Sequence, residues 1–275
     1  MKTAVCCIIK KENNYIREWA EWYKNIGFTN ILLYDNNDID GEQPSEVLRD
    51  LIESCFIKLI DCRGKSGYHQ KAYQECYDTF SNDYDWIAFF DADEFFEIDT
   101  TKYSNVSDFF SDKIFENADL IRVSWKHFDD NDQVRVVNEN YAVRERFTRE
   151  VPKSYIENYW TKGIVRGGIE GLQVSMARDG AHMNGIPQIK HAVNCRGQVV
   201  NNERINNGLC WDNAWLCHYR FKTIEEYVTH KKARGWTVLG YSKEFVNNLF
   251  NMDKFFTINK KTQEKVDLYN ELIKQ

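Results

Sequence analysis

Three carboxylates stand within four residues, Asp91, Asp93 and Glu94, between the aromatic pairs Phe89-Phe90 and Phe95-Phe96. An Asp-x-Asp on its own is more often a turn or a helix cap than a ligand site. Here the apolar flanks on both sides argue for packed surroundings. Burying such charges is costly unless something compensates them. The simplest compensation is a divalent cation, since hard cations take oxygen ligands and one or two carboxylates suffice. The preceding run, Trp86 to Phe90, reads as a strand buried on both faces. Open α/β sheets place their ligands at the carboxyl ends of such strands.

The elements needed to hold that turn are legible upstream. Thr3 to Ile9 reads as a first, central strand. Ile16, Trp19, Ala20, Tyr23 and Ile26 recur at helical spacing behind Asn13 or Asn14, and Gly27 ends that helix. Asn30 to Tyr34 reads as a second strand, running into Asp35-Asn36-Asn37-Asp38. A helix capped by Ser45 follows, then a strand over Phe56 to Ile60 ending at Asp61. A helix over Tyr68 to Phe80 leads into the strand at Trp86. This alternation implies βαβ units and a mostly parallel sheet with right-handed crossovers. Strand ends in a parallel sheet share one edge, so Asp35, Asp61 and Asp91 are expected to face one crevice.

The second half reads differently. Leu120 to Trp125, Val134 to Val137 and Tyr141 to Phe147 are expected as short strands, followed by glycine-broken, β-rich or irregular segments to Val200. Thr223 caps a helix through Ile224, Tyr227, Val228 and Lys231, and Asn259 to Gln275 reads as a charged amphipathic helix. We therefore expect a ligand-binding half over 1–115 and an irregular half over 116–275 that takes the second substrate, within one continuous domain.

Composition narrows the class. The 275 residues are 43% hydrophobic and 15% aromatic, enough for a substantial core. The formal charge of −6 lacks the basic footprint that general nucleic-acid binding requires. The eight cysteines show no C-x-x-C pairing and read as buried thiols of a reducing compartment. No apolar stretch is long enough to span a bilayer, and that from Ala4 to Ile9 is too short for a signal segment. The expected location is the cytoplasm, with peripheral contact to the inner face of a membrane open through the tail lysines Lys260, Lys261, Lys265 and Lys274.

Taken together, Val5 to Asn13, Glu18-Trp19, Gly27, Leu33 to Asn37, Gln70 to Tyr73 and Phe89 to Phe95 resemble the family 2-like and family 92-like glycosyltransferases of the GT-A fold. His218-Tyr219-Arg220-Phe221-Lys222, followed by Lys231 and Arg234-Gly235, is similar to the closing motif of that group. The resemblance implies an α/β, Rossmann-like GT-A sheet with a β-rich acceptor half and C-terminal helices. It also implies metal-dependent transfer of a sugar from a nucleotide-sugar, a UDP-sugar above all, to a glycan or lipid-linked acceptor, with inversion, in making surface polysaccharide or glycoconjugate. Mn²⁺ or Mg²⁺ held by Asp91 and Asp93 would stabilise the charge on the departing diphosphate. Mn²⁺ also accepts imidazole, which makes His218 a third expected ligand. Arg220 and Lys222 would add charge near the phosphates. Asp35 and Asn36 fall where the base and ribose are contacted, Gln70 lies near the donor, and Lys10, Glu12 and Asp61 line the same crevice. This chain has Lys10-Lys11-Glu12-Asn13 where many relatives carry Arg-Asn-Glu or Lys-Asn-Glu.

Inversion needs a carboxylate base. Asp129 and Asp130 are the first candidates, with Glu94, Glu170 and Asp179 behind them. Lys231 and Lys232 read as a solvated helix face, His182 and His191 as loop residues, and Trp160, Trp211, Trp215 and Trp236 as core. A sugar-phosphate nucleotidyltransferase is the alternative enzyme, but Lys10 to Asn14 lacks the glycines of its phosphate loop. A glycoside hydrolase would need a spaced carboxylate pair, and a non-catalytic carbohydrate-binding protein would take glycan without nucleotide.

Overall fold

A computed structural model describes residues 1–174, 182–205, 208–232 and 250–274. The opening apolar run forms β1 (Thr3–Ile9), and its alternate residues enter two different cores. Val5, Cys7 and Ile9 join one, Ala4 and Cys6 the other. A strand clothed on both faces needs this unbroken apolar sequence. Parallel neighbours flank it, β2 (Asn30–Asp35) and β4 (Trp86–Phe89), with β3 (Ile57–Asp61) beyond β2.

Helices cover both faces. α1 (Ile16–Asn25) buries Ile16, Trp19, Ala20 and Tyr23 on the Val5 face. Gly27, at φ +98°, then takes the left-handed turn that glycine adopts most readily. The short helices α2 (Pro44–Val47) and α3 (Arg49–Glu53) lead from β2 to β3. α4 (His69–Phe80) packs Ala72, Tyr73, Cys76 and Tyr77 on the opposite face, beside Cys6.

After β4 the chain turns through Asp91-Ala92-Asp93 into β5 (Glu94–Ile98), then crosses α5 (Val106–Phe110) to β6 (Leu120–His127). β7 (Thr161–Arg166) runs antiparallel to both β4 and β6 and joins the two regions. β8 (Ala192–Asn194) pairs with the first part of β6, and β9 (Ala214–His218) with its end. Among the described residues one nine-stranded sheet results, in the order β3-β2-β1-β4-β7-β6-β9-β5 with β8 beside β6. The expected α/β sheet is therefore observed, and it takes strands from both sides of residues 115 and 116. Its first four strands are parallel, while β7 and β5 are antiparallel to their neighbours.

Two expected strands are absent. Residues 134–137 join no ladder, and Val136 N–H donates to Glu225. Within Tyr141 to Phe147 the chain makes one helical turn, α6 (Val143–Arg146). The Glu18 carboxylate accepts the N–H groups of Val143 and Arg144 at 2.6 and 3.0 Å. That satisfies the exposed donors of a helix start, and the local alternation finds no partner strand to pair with.

The C-terminal elements form a third core around Phe221, Ile224, Tyr227, Phe255, Leu268 and Tyr269. Thr223 and Glu226 make a reciprocal capping box at α7 (Ile224–Glu226), as Thr223 predicted, and the chain continues as a wider helical turn to Lys232. The tail helix spans Gln263–Leu272. Lys265 is not on its solvated side, because its ammonium is buried against Asp130. Among the described residues no helix is long and apolar enough to cross a membrane.

Candidate active site

The acidic turn after β4 is fixed by its own neighbours before any ligand is considered. Trp19 Nε1–H donates to the carbonyls of Asp91 and Glu94 at 3.1 and 2.8 Å, and the Tyr23 hydroxyl also donates to Glu94 O. The Glu94 side chain folds back beneath the turn. Its Oε2 accepts the Asp91 N–H at 2.8 Å and its Oε1 accepts Trp125 Nε1–H at 2.7 Å. Burial pushes the Glu94 carboxyl well above the ordinary range; Lys162 offsets part of this, and Asp91 and Asp93 add to it. Glu94 is thus the floor of the turn, and the two aspartates are its projecting members.

Those aspartates have matching surroundings. Asp91 Oδ2 lies 2.8 Å from Lys162 Nζ, and its Oδ1 faces His69 Nε2 at 4.0 Å. Asp93 Oδ2 lies 2.6 Å from Lys231 Nζ, and its Oδ1 faces His218 Nε2 at 3.6 Å. Each carboxylate therefore has one oxygen on an ammonium and one turned towards an imidazole beyond hydrogen-bond length. Burial alone would raise the Asp91 carboxyl, but Lys162 and His69 outweigh it and hold it at about 2. Burial opposes ionisation of Asp93 as well, and Lys231 with His218 holds it well below the carboxylate range.

The sheet brings these groups together. Glu94 on β5 is in register with His218 on β9, and His218 with His127 on β6, so the three share one sheet face. Lys162 lies two residues before Ile164, which is paired antiparallel with Ala88 of β4, and so runs alongside the acidic turn. Burial drives His218 towards its neutral form despite the pull of Asp93, and it does the same to His127, whose ring stands 4.8 Å from His218. His218 Nδ1 and His127 Nε2 are buried with no hydrogen bond among the described residues.

The other expected site residues separate into two groups. Lys222, at φ +57°, is buried with its ammonium 4.3 Å from the Tyr15 ring, and its charge reaches Asp93. Arg220 belongs to the same loop, but its guanidinium is paired with Glu157. Glu12 is buried with Oε2 3.7 Å from His230 Nε2. Gln70 stands in the first turn of α4, next to His69. The second group lies at the ends of β2 and β3. Asp35 is buried and pairs with Arg63 at 3.2 Å, and Asn36 donates to the carbonyls of Cys62 and Lys65. Asp61 is exposed and accepts Arg63 N–H, while Lys10 pairs with Asp38 at 2.7 Å. The shared edge is real, but Asp35 and Asp61 turn to Arg63 and not to the Asp91 turn.

Asp129 and Asp130 are both engaged elsewhere. Asp129 accepts Arg149 Nε–H at 2.6 Å, and Asp130 is buried with the Lys265 ammonium and Asn259. Neither touches the Asp91 turn through any contact found. Glu170 lies outside the strands, and Asp179, Arg234, Gly235 and Trp236 lie outside the described residues. Lys231, expected on a solvated face, instead holds Asp93. Lys162 was not singled out by the sequence at all. Its signal was a lone lysine within an apolar run, Lys162-Gly163-Ile164-Val165, where a strand interior carries a charge only if something answers it.

The sequence model of glycosyltransferase family 92 matches residues 2–168. The chain belongs to glycosyltransferase family 92. A family 92 protein of Ricinus communis is 24% identical over 104 residues, a match covering 35% of this chain and 17% of that protein's length. Among solved structures, TarS of S. aureus in complex with UDP-GlcNAc shares 12% identity and a TM-score of 0.45, covering 99% of this chain and 72% of that one. The mannosyltransferase PcManGT of Pyrobaculum calidifontis, in complex with GDP-Man and Mn²⁺, shares 13% identity and a TM-score of 0.31, covering 44% and 35%. Family membership rests on the sequence match over β1 to β7.

The donor set around the turn suits a hard cation only in part. Asp91 and Asp93 supply carboxylate oxygens, and His218 supplies a neutral imidazole. Metal-bound histidines ordinarily give their second N–H to a fixed acceptor, and none is found for His218 Nδ1 among the described residues. Nor does any group of three or more His, Cys, Asp or Glu side chains among them close around a single point. The two aspartates fit an ion that takes its remaining ligands from phosphate and water, as Mg²⁺ usually does.

Proposed function

We propose that the chain transfers a sugar from a UDP-sugar to a glycan or lipid-linked acceptor, with inversion, using Mn²⁺ or Mg²⁺. The observation that carries this reading is the Asp91 turn itself: two ionised aspartates at the carboxyl end of a central parallel strand, ringed by Lys162, Lys231, Lys222 and His218. Such a ring suits a ligand carrying both phosphate and a divalent ion. Asp91 and Asp93 would hold the cation, with His218 beside them, and the cation would supply charge stabilisation for the departing diphosphate. Lys222, buried and close to Asp93, would face the phosphate end of the donor. Asp35 and Asn36, at the end of β2, would face its nucleoside end, as the family resemblance implies. Reaction at the cytoplasmic face of a membrane accords with such an acceptor.

The proton acceptor is not assigned to Asp129 or Asp130, because both are already held by cations. The alternative nucleotidyltransferase needs a glycine-rich loop after β1. That position carries Lys11 at φ +56°, its N–H held by Asn37 Oδ1.

The test is the double variant Asp91→Asn, Asp93→Asn. UDP in the presence of Mn²⁺ should raise the melting temperature of the native chain by linkage and leave that of the variant unmoved, with both giving the same circular dichroism. Equal stabilisation of the two proteins, with Mn²⁺ or with chelator, would remove the turn from the donor site.

A further inference from the structure

The solvent-facing stripe of α1 is not wholly polar. Glu18, Trp22 and Asn25 recur at helical spacing on the side away from Ile16, Trp19 and Tyr23, and Trp22 is only half-buried there. Opposite this stripe the chain doubles back on itself. Asn138 and Glu139 both take left-handed φ, +54° and +53°, and the Val137 carbonyl accepts the Asn140 N–H at 3.1 Å, which makes a type I′ turn. Between α1 and residues 139–144 lies a groove of about 490 Å³. Ligand clefts commonly enclose about 300–1,000 Å³.

The walls of this groove are fixed by their own contacts. The Arg144 guanidinium lies 3.4 Å from the centre of the Trp22 ring and 2.6 Å from the Glu97 carboxylate. Trp22 Nε1–H donates inward to the Phe96 carbonyl at 2.9 Å, so the indole presents carbon surface to the groove. Arg17 is held by the Val47 carbonyl, Glu21 and Asp50, and the Glu18 carboxylate accepts the N–H groups of Val143 and Arg144. Both guanidinium groups of the groove are thus paired with carboxylates, and neither is set to take phosphate. Asn14 and Asn25 are exposed along the groove, and their side chains make no hydrogen bond among the described residues. Each amide offers both donors and an acceptor, which matches the needs of hydroxyl groups. Half-buried Trp22 and Tyr141 beside open amides, with the charges already answered, fit a neutral saccharide. Its C–H faces pack on aromatic carbon and its hydroxyls take the amides.

We propose that this groove binds a neutral oligosaccharide stretch of the acceptor, apart from the Asp91 turn. Tyr141 meets the Tyr15 ring edge-on at 5.7 Å, and the Lys222 ammonium stands 4.3 Å from that same Tyr15 ring. The groove therefore ends one ring away from the loop that carries Lys222. A glycan held along α1 would be anchored beside the donor end without occupying it, which raises the effective concentration of its reacting end. The choice of a glycan rests on the reading given above, and the experiment separates the two.

Titration calorimetry on the full chain would use short neutral oligosaccharides cut from starch, cellulose, laminarin, xylan and mannan, with dextran sulfate as an anionic competitor. At least one neutral probe should bind, and dextran sulfate should not displace it. Asn25→Trp fills the groove from an exposed position and should weaken that binding at least about tenfold. Tyr141→Ala should weaken it as well, and in both variants the melting-temperature rise with UDP and Mn²⁺ should stay native. The Asp91→Asn, Asp93→Asn chain should keep the native oligosaccharide affinity. Circular dichroism checks that the variants fold, and Tyr141→Ala suffices if Asn25→Trp does not. Failure of every neutral probe to bind, or native affinity in a folded Asn25→Trp chain, would overturn the groove and leave the donor site standing. Displacement of the probe by dextran sulfate would also overturn it. Binding lost in the double aspartate variant but kept in Asn25→Trp would move the glycan to the acidic turn, again against the groove. Binding lost in Asn25→Trp, with no response of the native chain to UDP and Mn²⁺, would keep the groove and overturn the donor-site reading.

Discussion

Glu94 follows the acidic turn yet does the opposite work from its neighbours. Both of its oxygens already accept N–H donors, from Asp91 and from Trp125, and the residue is fully buried. Its neutral amide analogue would keep the shape but turn one N–H₂ towards one of those donors. Glu94→Gln should therefore destabilise the protein by about 1–3 kcal/mol, the usual cost of a buried polar group left unsatisfied. Urea unfolding of the two proteins checks this, and equal midpoints would contradict the assigned hydrogen bonds. The sequence placed all three carboxylates in one packed region but did not separate their roles. Separation depends on Trp125, 31 residues from Glu94 along the chain, and on Lys162, 71 residues from Asp91. Lys231 misled for the same reason: its helical neighbours are polar, and only the fold carries Asp93 to it.

Among the elements, the short helical segment Ile156–Tyr159 shows how the second half is tied down. Glu157 in this segment pairs with Arg220 from the loop after β9 and with Lys254 of the helix Met252–Phe255 at 2.6 Å. Burial alone would raise the Glu157 carboxyl above its ordinary 4.5, but the guanidinium and the ammonium outweigh it and hold it at about 2. A carboxyl depressed in the folded state contributes stability that is complete above its unfolded pKa and is lost as pH falls towards the folded one. The shift corresponds to about 3 kcal/mol, present at pH 7 and lost between about 4.5 and 2. Glu157→Gln should thus lower the urea midpoint markedly at pH 7, and the gap from the native chain should close as the pH approaches 2. A gap that stays constant with pH would show that the pair contributes by packing alone. Period and capping made β1, β2, β3, α1, α4 and the Thr223 cap readable, because each is decided within its own stretch. The ladder of β5 with β9 was not readable, because its strands lie over a hundred residues apart and only their pairing places His218 beside Asp93.

At the scale of the whole molecule, the two cores on either side of β1 decide what the eight cysteines can do. All are free thiols, and Cys6, Cys7, Cys62, Cys76, Cys195, Cys210 and Cys217 are buried while Cys55 is exposed. Their seats follow from the sheet: Cys6 and Cys7 are adjacent in β1 and therefore point into opposite cores. Burial also pushes the Cys6, Cys7, Cys195 and Cys217 thiols well up, and Cys62 up to about 12, which suppresses the reactive thiolate. The sequence anticipated buried thiols, and Cys55 departs from that reading because it sits at φ +60° in the bend between α3 and β3. A thiol-specific disulfide reagent should accordingly modify one cysteine rapidly in the native protein, and all eight once it is unfolded in guanidinium. Cys55→Ser should abolish the rapid phase and leave the slow phase unchanged, since the slow thiols become accessible only when the sheet opens. Fast modification of two or more cysteines in native protein would mean that one of the two cores opens far more readily than its packing implies.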